Sequence, residues 1–304
     1  MTRRHRYLHL DVFTNEKFGG NQLAVFPDAQ GLSTETMQAI AREMNFSETT
    51  FILPAERPDT NIRMRIFTPG REMPMAGHPT VGSTFALALD GVIPAGQRRW
   101  VFGLNIGPTP VDIDWIADRP IFVWMTQQRP VFGPVVTDVE TAARAVGADA
   151  AAIRDTGLPV QEVSCGVPFV FIPLSTRAAV DAAAPNLPAF DTLCEAAGVG
   201  NHAMFIFSRE PGDEGATVYS RMFAPGLGVF EDPATGAASG PLGCYMVKHG
   251  VVPPGQAGRI LSLQGVKMGR PSRVHIAIGL DDGEITRVQV GGEAVLVGEG
   301  YLEV

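Results

Sequence analysis

Apolar and polar residues alternate in many short stretches of the chain, and a two-residue rhythm predicts strands. Valine, isoleucine and phenylalanine carry it at residues 7–13, 22–26, 49–53, 61–67, 121–125, 168–173, 203–207, 217–223, 274–278 and 288–297. Residues 34–44 follow a helical rhythm instead. Met37, Ile40, Ala41 and Met44 fall on one face, Ser33 can cap the start, and Glu35 complements the dipole there. Helices are also predicted over 137–146 and 189–197. Residues 80–89 and 238–248 are apolar nearly all round, as expected of helices buried within curved sheets. Strands outnumber helices and the two do not alternate one for one. The pattern therefore predicts an α+β fold with mixed or antiparallel sheets.

The chain also repeats itself. Phe67-Thr-Pro-Gly70 returns as Phe223-Ala-Pro-Gly226, and Asp90-Gly-Val-Ile-Pro-Ala-Gly96 returns as His249-Gly-Val-Val-Pro-Pro-Gly255. Each pair flanks one of the two apolar helices. Counting back from the later markers sets Gly77 against Gly236 and His78 against Ala237. Two related halves are expected, each sending a buried helix toward a shared cleft. Helix starts carry unpaired N–H groups and partial positive charge, so backbone amides there can hold a carboxylate or phosphate. Glycine at 77 and 236 lets backbone approach closely.

Composition narrows the function. The 304 residues include 45% hydrophobic and 18% charged residues, with a net charge of -8. That is enough apolar material for two cores, and the acidic balance argues against nucleic acid. Cys165, Cys194 and Cys244 form no CxxC pair, so neither a disulfide framework nor a zinc site is expected. His5 and His9 flank a strand and lack a third ligand, so no metal is expected. With no signal-like or membrane-length apolar run, a soluble, cytoplasmic protein is expected. No nucleotide-binding glycine motif or GxSxG appears.

Several segments resemble one family. They are Phe18-Gly-Gly20 with Asn21-Gln-Leu-Ala-Val-Phe26, Asn45-Phe-Ser-Glu-Thr-Thr-Phe51, and Ala76-Gly-His-Pro79 after Phe67-Thr-Pro69. Further on come Glu231-Asp-Pro-Ala-Thr-Gly236, Gln264-Gly-Val-Lys-Met-Gly-Arg-Pro-Ser272 and Val290-Gly-Gly-Glu-Ala-Val-Leu-Val297. In that order they resemble the PhzF-like family of phenazine biosynthesis, over nearly the whole chain. The resemblance implies the diaminopimelate epimerase-like fold: two pseudo-symmetric lobes, each a mixed sheet wrapped around a central helix. The first lobe is expected over 1–120 and the second over 121–289, with a last strand at about 290–304 returning to the first. A homodimer without cofactors is implied too.

Epimerases and racemases of that superfamily use a cysteine at each helix start, and this chain has none there. The resemblance implies instead one carboxylate as acid and base, and the matching residue is Glu48. A glutamate can take a proton from carbon and return it elsewhere in a conjugated system if burial raises its pKa toward neutrality. His78 can bind a substrate carboxylate, orient Glu48 or carry a second proton, or simply cap its helix. Asp232 matches a family residue that contacts substrate and assists the proton relay; otherwise it is a turn aspartate. Ala237 stands where the family commonly has serine, which removes a donor, and Ser239 lies two residues on. Asn21 and Gln22 contact either a ligand or a turn. Arg270 and Ser272 are either anion donors or parts of a hairpin-like turn.

Three readings follow: an isomerase moving a proton within a small carboxylic acid, an epimerase using Glu48 and His78, or a small-anion binding protein that lost efficient chemistry.

Overall fold

A computed structural model describes residues 3–200, 203–225 and 229–304. In chain order the elements begin with β1 (Arg4–Val12), β2 (Asn21–Phe26), α1 (Thr34–Met44), β3 (Glu48–Leu53), β4 (Ile62–Phe67) and β5 (Glu72–Met73). The first buried helix, α2 (Gly77–Leu89), leads to β6 (Arg99–Leu104), β7 (Gly107–Ile116) and β8 (Arg119–Gln127). Next come β9 (Val131–Val136), α3 (Val139–Ala145), α4 (Ala150–Arg154), β10 (Val160–Ser164) and β11 (Pro168–Pro173). They are followed by α5 (Arg177–Ala182), α6 (Leu187–Ala197), β12 (Ala203–Ser208), β13 (Val218–Ala224) and β14 (Val229–Asp232). The second buried helix, α7 (Gly236–Lys248), precedes β15 (Ile260–Gln264), β16 (Ser272–Asp281), β17 (Glu284–Gly292) and β18 (Ala294–Glu303).

The strands follow one plan twice. In the first lobe pairing runs β18-β1-β2-β3-β4-β6-β7-β8, with β5 added to β4. In the second it runs β9-β10-β11-β12-β13-β15-β16-β17, with β14 added to β13. The parallel steps fall at corresponding places, β2 with β3 and β4 with β6 against β11 with β12 and β13 with β15. Strand β8 joins the lobes by pairing antiparallel with β17. The fold is thus α+β and diaminopimelate epimerase-like. A cut at residue 120 falls inside β8, whereas the pairing pattern changes lobes after Gln127, and we propose the division there. The C-terminal β18 pairs with β1.

Both central helices are 13 residues long and nearly all buried. Helix α2 packs on β1, β2 and β8; helix α7 packs on β10, β11, β16 and β17. Their hydroxyls cost little because each is bonded: Thr80 and Thr84 donate to carbonyls one turn back, Ser239 donates to Thr235 O, Ser83 pairs with the Thr50 hydroxyl and Tyr245 donates to Pro159 O. Helix α1 covers the outer face of the first sheet, and α3 and α6 pack together over the second.

The repeated Gly-Val marker has a structural cause. Gly91 (φ +75) and Gly250 (φ +67) end the two helices in the left-handed region. The following valines close the last turn, Val92 N to Leu87 O at 2.9 Å and Val251 N to Met246 O at 2.8 Å. In the other marker, Phe67 and Phe223 lie in β4 and β13, while Gly226 lies outside the described residues.

Residues 288–297 are two strands, not one. Gly292 packs against the Phe13 ring, and Glu293 O accepts from Phe13 N at 2.8 Å. The chain therefore leaves the second sheet there and enters the first. Strands β5, β6, β7, β9, β10, β14 and β15 and helices α4 and α5 went unpredicted. Proline and glycine interrupt the alternation in β7 and β9, and the others are five residues or fewer, apart from the six-residue β6 and α5.

Candidate active site

The two central helices begin at the same place. A Cβ built on Gly77 would lie 2.5 Å from Gly236 Cα, so the close approach these glycines permit is between the helix starts themselves. Beside them opens a cleft between the lobes. Glu48, His78 and Asp232 line it with Gly77, Gly236 and Ala237. Its apolar wall includes Met73, Met75, Val167, Phe169 and Met222, none of which the sequence singled out.

Among the described residues these are also the two α-helix starts without a side-chain cap. Ser33, Asp138, Asp149, Thr176 and Asn186 accept from backbone N–H at the starts of α1, α3, α4, α5 and α6. At α2 the cap position is Ala76, which has no oxygen to offer, and at α7 the Thr235 hydroxyl is turned to Asp232 instead. Uncapped N–H groups with the positive ends of two helix dipoles suit a carboxylate.

Glu48 begins β3, beside Leu23 on β2. Its Oε2 is buried without a hydrogen bond and lies 3.5 Å from His78 Nε2. Burial, and then repulsion from Asp232, push the Glu48 carboxyl well above the usual carboxylate range. His78 is 2% exposed. Burial lowers its imidazole to about 3, against an opposing pull from the Gln22 backbone, so the ring is neutral near pH 7. Asp232 is pushed up to about 6, because burial outweighs hydrogen bonds from Thr235, Ser47 and Asn21 that favour the carboxylate. Its Oδ2 accepts from Thr235 Oγ1 at 2.6 Å and its Oδ1 from Asn21 Nδ2 at 2.7 Å. Gln264 braces the same loop, donating from Nε2 to Asp232 O at 2.8 Å and accepting from Thr235 N at 3.0 Å. Ser47, Thr235 and Gln264 all lie within the quoted motifs, but nothing in their spacing marks them as supports.

The remaining candidates are elsewhere. Gln22 and Arg270 line a separate polar recess with Ser47 and Glu231. Arg270 does not serve as a free anion donor. Its guanidinium bonds Asp11 Oδ1 at 2.5 Å and the carbonyls of Gly19 and Gly20 at 2.6 and 2.8 Å. Ser272 is fully buried and donates to Arg270 O at 3.0 Å. These two residues therefore build the turn. Asn21 stands behind the cleft, 1% exposed, in contact with His78, Asp232 and Ala234. Ser239 cannot replace a hydroxyl at 237, since it is fully buried and committed to Thr235 O. Cys165 and Cys244 sit in the core of the second lobe, 3.9 Å apart and away from the cleft lining.

The family model for "Phenazine biosynthesis-like protein" matches residues 10–300. The chain belongs to this family. Among curated members, the trans-2,3-dihydro-3-hydroxyanthranilate isomerase of Pseudomonas aeruginosa is 34% identical, covering 97% of this chain and 98% of that one. The crystal structure of a PhzF-family phenazine biosynthesis protein from Bacillus anthracis superposes with TM-score 0.86 at 29% identity, covering 99% of this chain and all of that one. A hydroxyproline epimerase from Agrobacterium vitis shares the fold, with TM-score 0.69 at 12% identity, over 99% of this chain and 93% of that one. Family membership makes the chain an isomerase. Among the described residues no helix is long and apolar enough to cross a membrane.

Proposed function

We propose that this phenazine biosynthesis-like isomerase moves a proton within a small, cyclic or unsaturated carboxylic acid, without a cofactor, in the cleft between its lobes. The observation that carries the reading is Glu48: a half-buried glutamate whose Oε2 is buried without a hydrogen bond, set beside a neutral histidine and sharing a cleft with two uncapped helix starts. Glu48 takes a proton from carbon as carboxylate, and the electron pair spreads into the conjugated system. The resulting acid returns the proton to another carbon of that system. Amides near Gly77 and Gly236 hold the substrate carboxylate or the developing enolate, where fixed donors contribute most. His78 orients Glu48, and Asp232 binds the substrate or relays the proton. The name of the Pseudomonas relative, which specifies a dihydro ring acid, supports the substrate class. Among the described residues no lysine or arginine lines this cleft, so the carboxylate relies on backbone donors.

Epimerisation with Glu48 and His78 on opposite faces of one carbon fits less well. Each base would stand about 3–3.5 Å from that carbon, and so roughly 6–7 Å from the other. Their nearest atoms are 3.5 Å apart.

The test is deuterium uptake from heavy water by a panel of small unsaturated and amino carboxylic acids, with wild type and Glu48→Gln. Uptake by one compound that disappears in Glu48→Gln is expected. Uptake that survives the substitution would remove Glu48 as the base. Saturable binding with no uptake from any compound would favour the anion-binding reading.

A further inference from the structure

We infer that the cleft takes a monocarboxylic acid that is otherwise apolar, and rejects analogues carrying a hydroxyl, an amino group or a second carboxylate. The inference rests on the cleft being the substrate site of the proposed isomerase. Its polar groups gather at one place. Glu48 Oε2 lies 3.5 Å from His78 Nε2, and Asn21 Nδ2 lies 3.1 Å from His78 Nδ1 and 2.7 Å from Asp232 Oδ1. Among the described residues two further polar side chains line the cleft, Thr68 and Thr235, and both hydroxyls are already bonded. Thr68 Oγ1 donates to Arg71 O at 3.1 Å and accepts from Arg71 N at 3.0 Å and Gly70 N at 3.2 Å. Thr235 Oγ1 donates to Asp232 Oδ2 at 2.6 Å and accepts from Gln264 Nε2 at 3.0 Å.

The rest of the described lining carries no side-chain nitrogen or oxygen. Both lobes supply it, with Met73 and Met75 from the first and Val167, Phe169, Met222 and Val229 from the second. Methionine is unbranched and polarizable, so three of them beside a phenylalanine mould to a flat apolar ring or chain. A hydroxyl or ammonium group carried there gives up its water and meets no side-chain partner. A second carboxylate fares worse, because no lysine or arginine among the described residues lines the cleft to balance it. The first carboxylate is provided for by the uncapped amides that open α2 and α7.

Binding reads this selectivity without turnover. Titration calorimetry compares cyclohexenecarboxylate with its ring-hydroxylated, ring-aminated and dicarboxylate counterparts, on wild type, Val167→Thr and Met222→Gln. Wild type is expected to bind the plain acid about ten- to a hundredfold more tightly than each counterpart, the usual effect of burying an unpaired polar group. Equal or tighter binding of a counterpart would overturn the inference, and so would failure of the plain acid to bind saturably. Val167 is half-buried and packs against the cores of both lobes. Threonine keeps its shape and adds a hydroxyl, so Val167→Thr is expected to narrow the advantage over the hydroxylated acid by about threefold or more. Met222→Gln places an amide on the same wall and is expected to narrow it likewise. An advantage unchanged in both folded variants would show that this wall does not read the substituent, and the inference would fail. Deuterium uptake with wild type and Glu48→Gln judges the isomerase reading separately, since loss of that reading leaves the order of binding standing.

Discussion

Gly77 and Gly236 meet backbone to backbone: a Cβ on Gly77 would stand 2.5 Å from the Cα and carbonyl carbon of Gly236 and 2.6 Å from Ala237 N. This contact lets two helix starts aim at one small ligand. Each glycine opens its helix, and neither helix is capped by a side chain. The contacted atoms are backbone and cannot swing aside. Gly77→Ala is therefore expected to cost about 1–3 kcal/mol, the usual price of overpacking, and to spread the helix starts. Chemical denaturation measures the first effect, and loss of saturable carboxylate binding the second. Unchanged stability would mean that the helices separate freely.

Supplying the missing cap at α2 is expected to trade binding for stability. Ala76 already has the extended conformation of a cap residue (φ -152, ψ 151). In Ala76→Ser the hydroxyl can accept from the His78 N–H. A gain of about 0.5–1 kcal/mol is expected, with weaker binding of small carboxylates because a donor is now occupied. A thermal melt and a binding titration on the same sample decide it. Stronger binding would overturn the idea that these amides hold the anion.

Glu48 is expected to be a liability to folding at neutral pH. Its folded pKa is raised, so the folded state binds more protons than the unfolded state above the unfolded value of about 4.3. Stability is therefore lost as pH rises from there through the folded pKa. Glu48→Gln, neutral throughout, is expected to match wild type near pH 4 and to exceed it increasingly toward pH 8. Urea unfolding across that range measures the difference. Equal stabilities at every pH would show that the carboxyl titrates normally.

His78 is expected to act with the opposite sign. Burial lowers its folded pKa to about 3 from the ordinary 6.5 of a histidine. Below pH 6.5 the unfolded state takes up a proton that the folded state refuses, so stability falls as pH drops from 6.5 to 3. At about 1.4 kcal/mol per pH unit, the full loss approaches 5 kcal/mol. His78→Gln removes this acid sensitivity, whatever its cost at neutral pH. The readout is the slope of unfolding free energy against pH, which is expected to flatten below 6.5 relative to wild type.

Arg270 is expected to matter for stability and not for ligand binding. Asp11 is 1% exposed and depends on the Arg270 guanidinium and Phe18 N. Arg270→Met leaves that carboxylate buried without its cation, a change that costs about 3–5 kcal/mol. Carboxylate affinity, measured where the variant remains folded, is expected to stay within a factor of about two. A large loss of affinity with little loss of stability would restore Arg270 as an anion donor.

The sequence by itself determined the fold class, the repeat and most strands, because these depend on local chemistry. Alternation marks a half-buried strand, an all-round apolar stretch marks a buried helix, and Gly91 and Gly250 mark helix ends that require left-handed backbone. It also pointed to Glu48, His78 and Asp232 through short motifs. Only the tertiary structure decided what surrounds them. Residue 21 meets residues 78 and 232, and residue 48 meets residue 78, across long stretches of chain and across two lobes. No spacing encodes those meetings. The same contacts separated Asn21, which is turned to His78 and Asp232, from Arg270 and Ser272, which are absorbed into a turn. A donor's role depends on which acceptor reaches it first. That is decided by packing, where burial makes every unpaired polar group expensive.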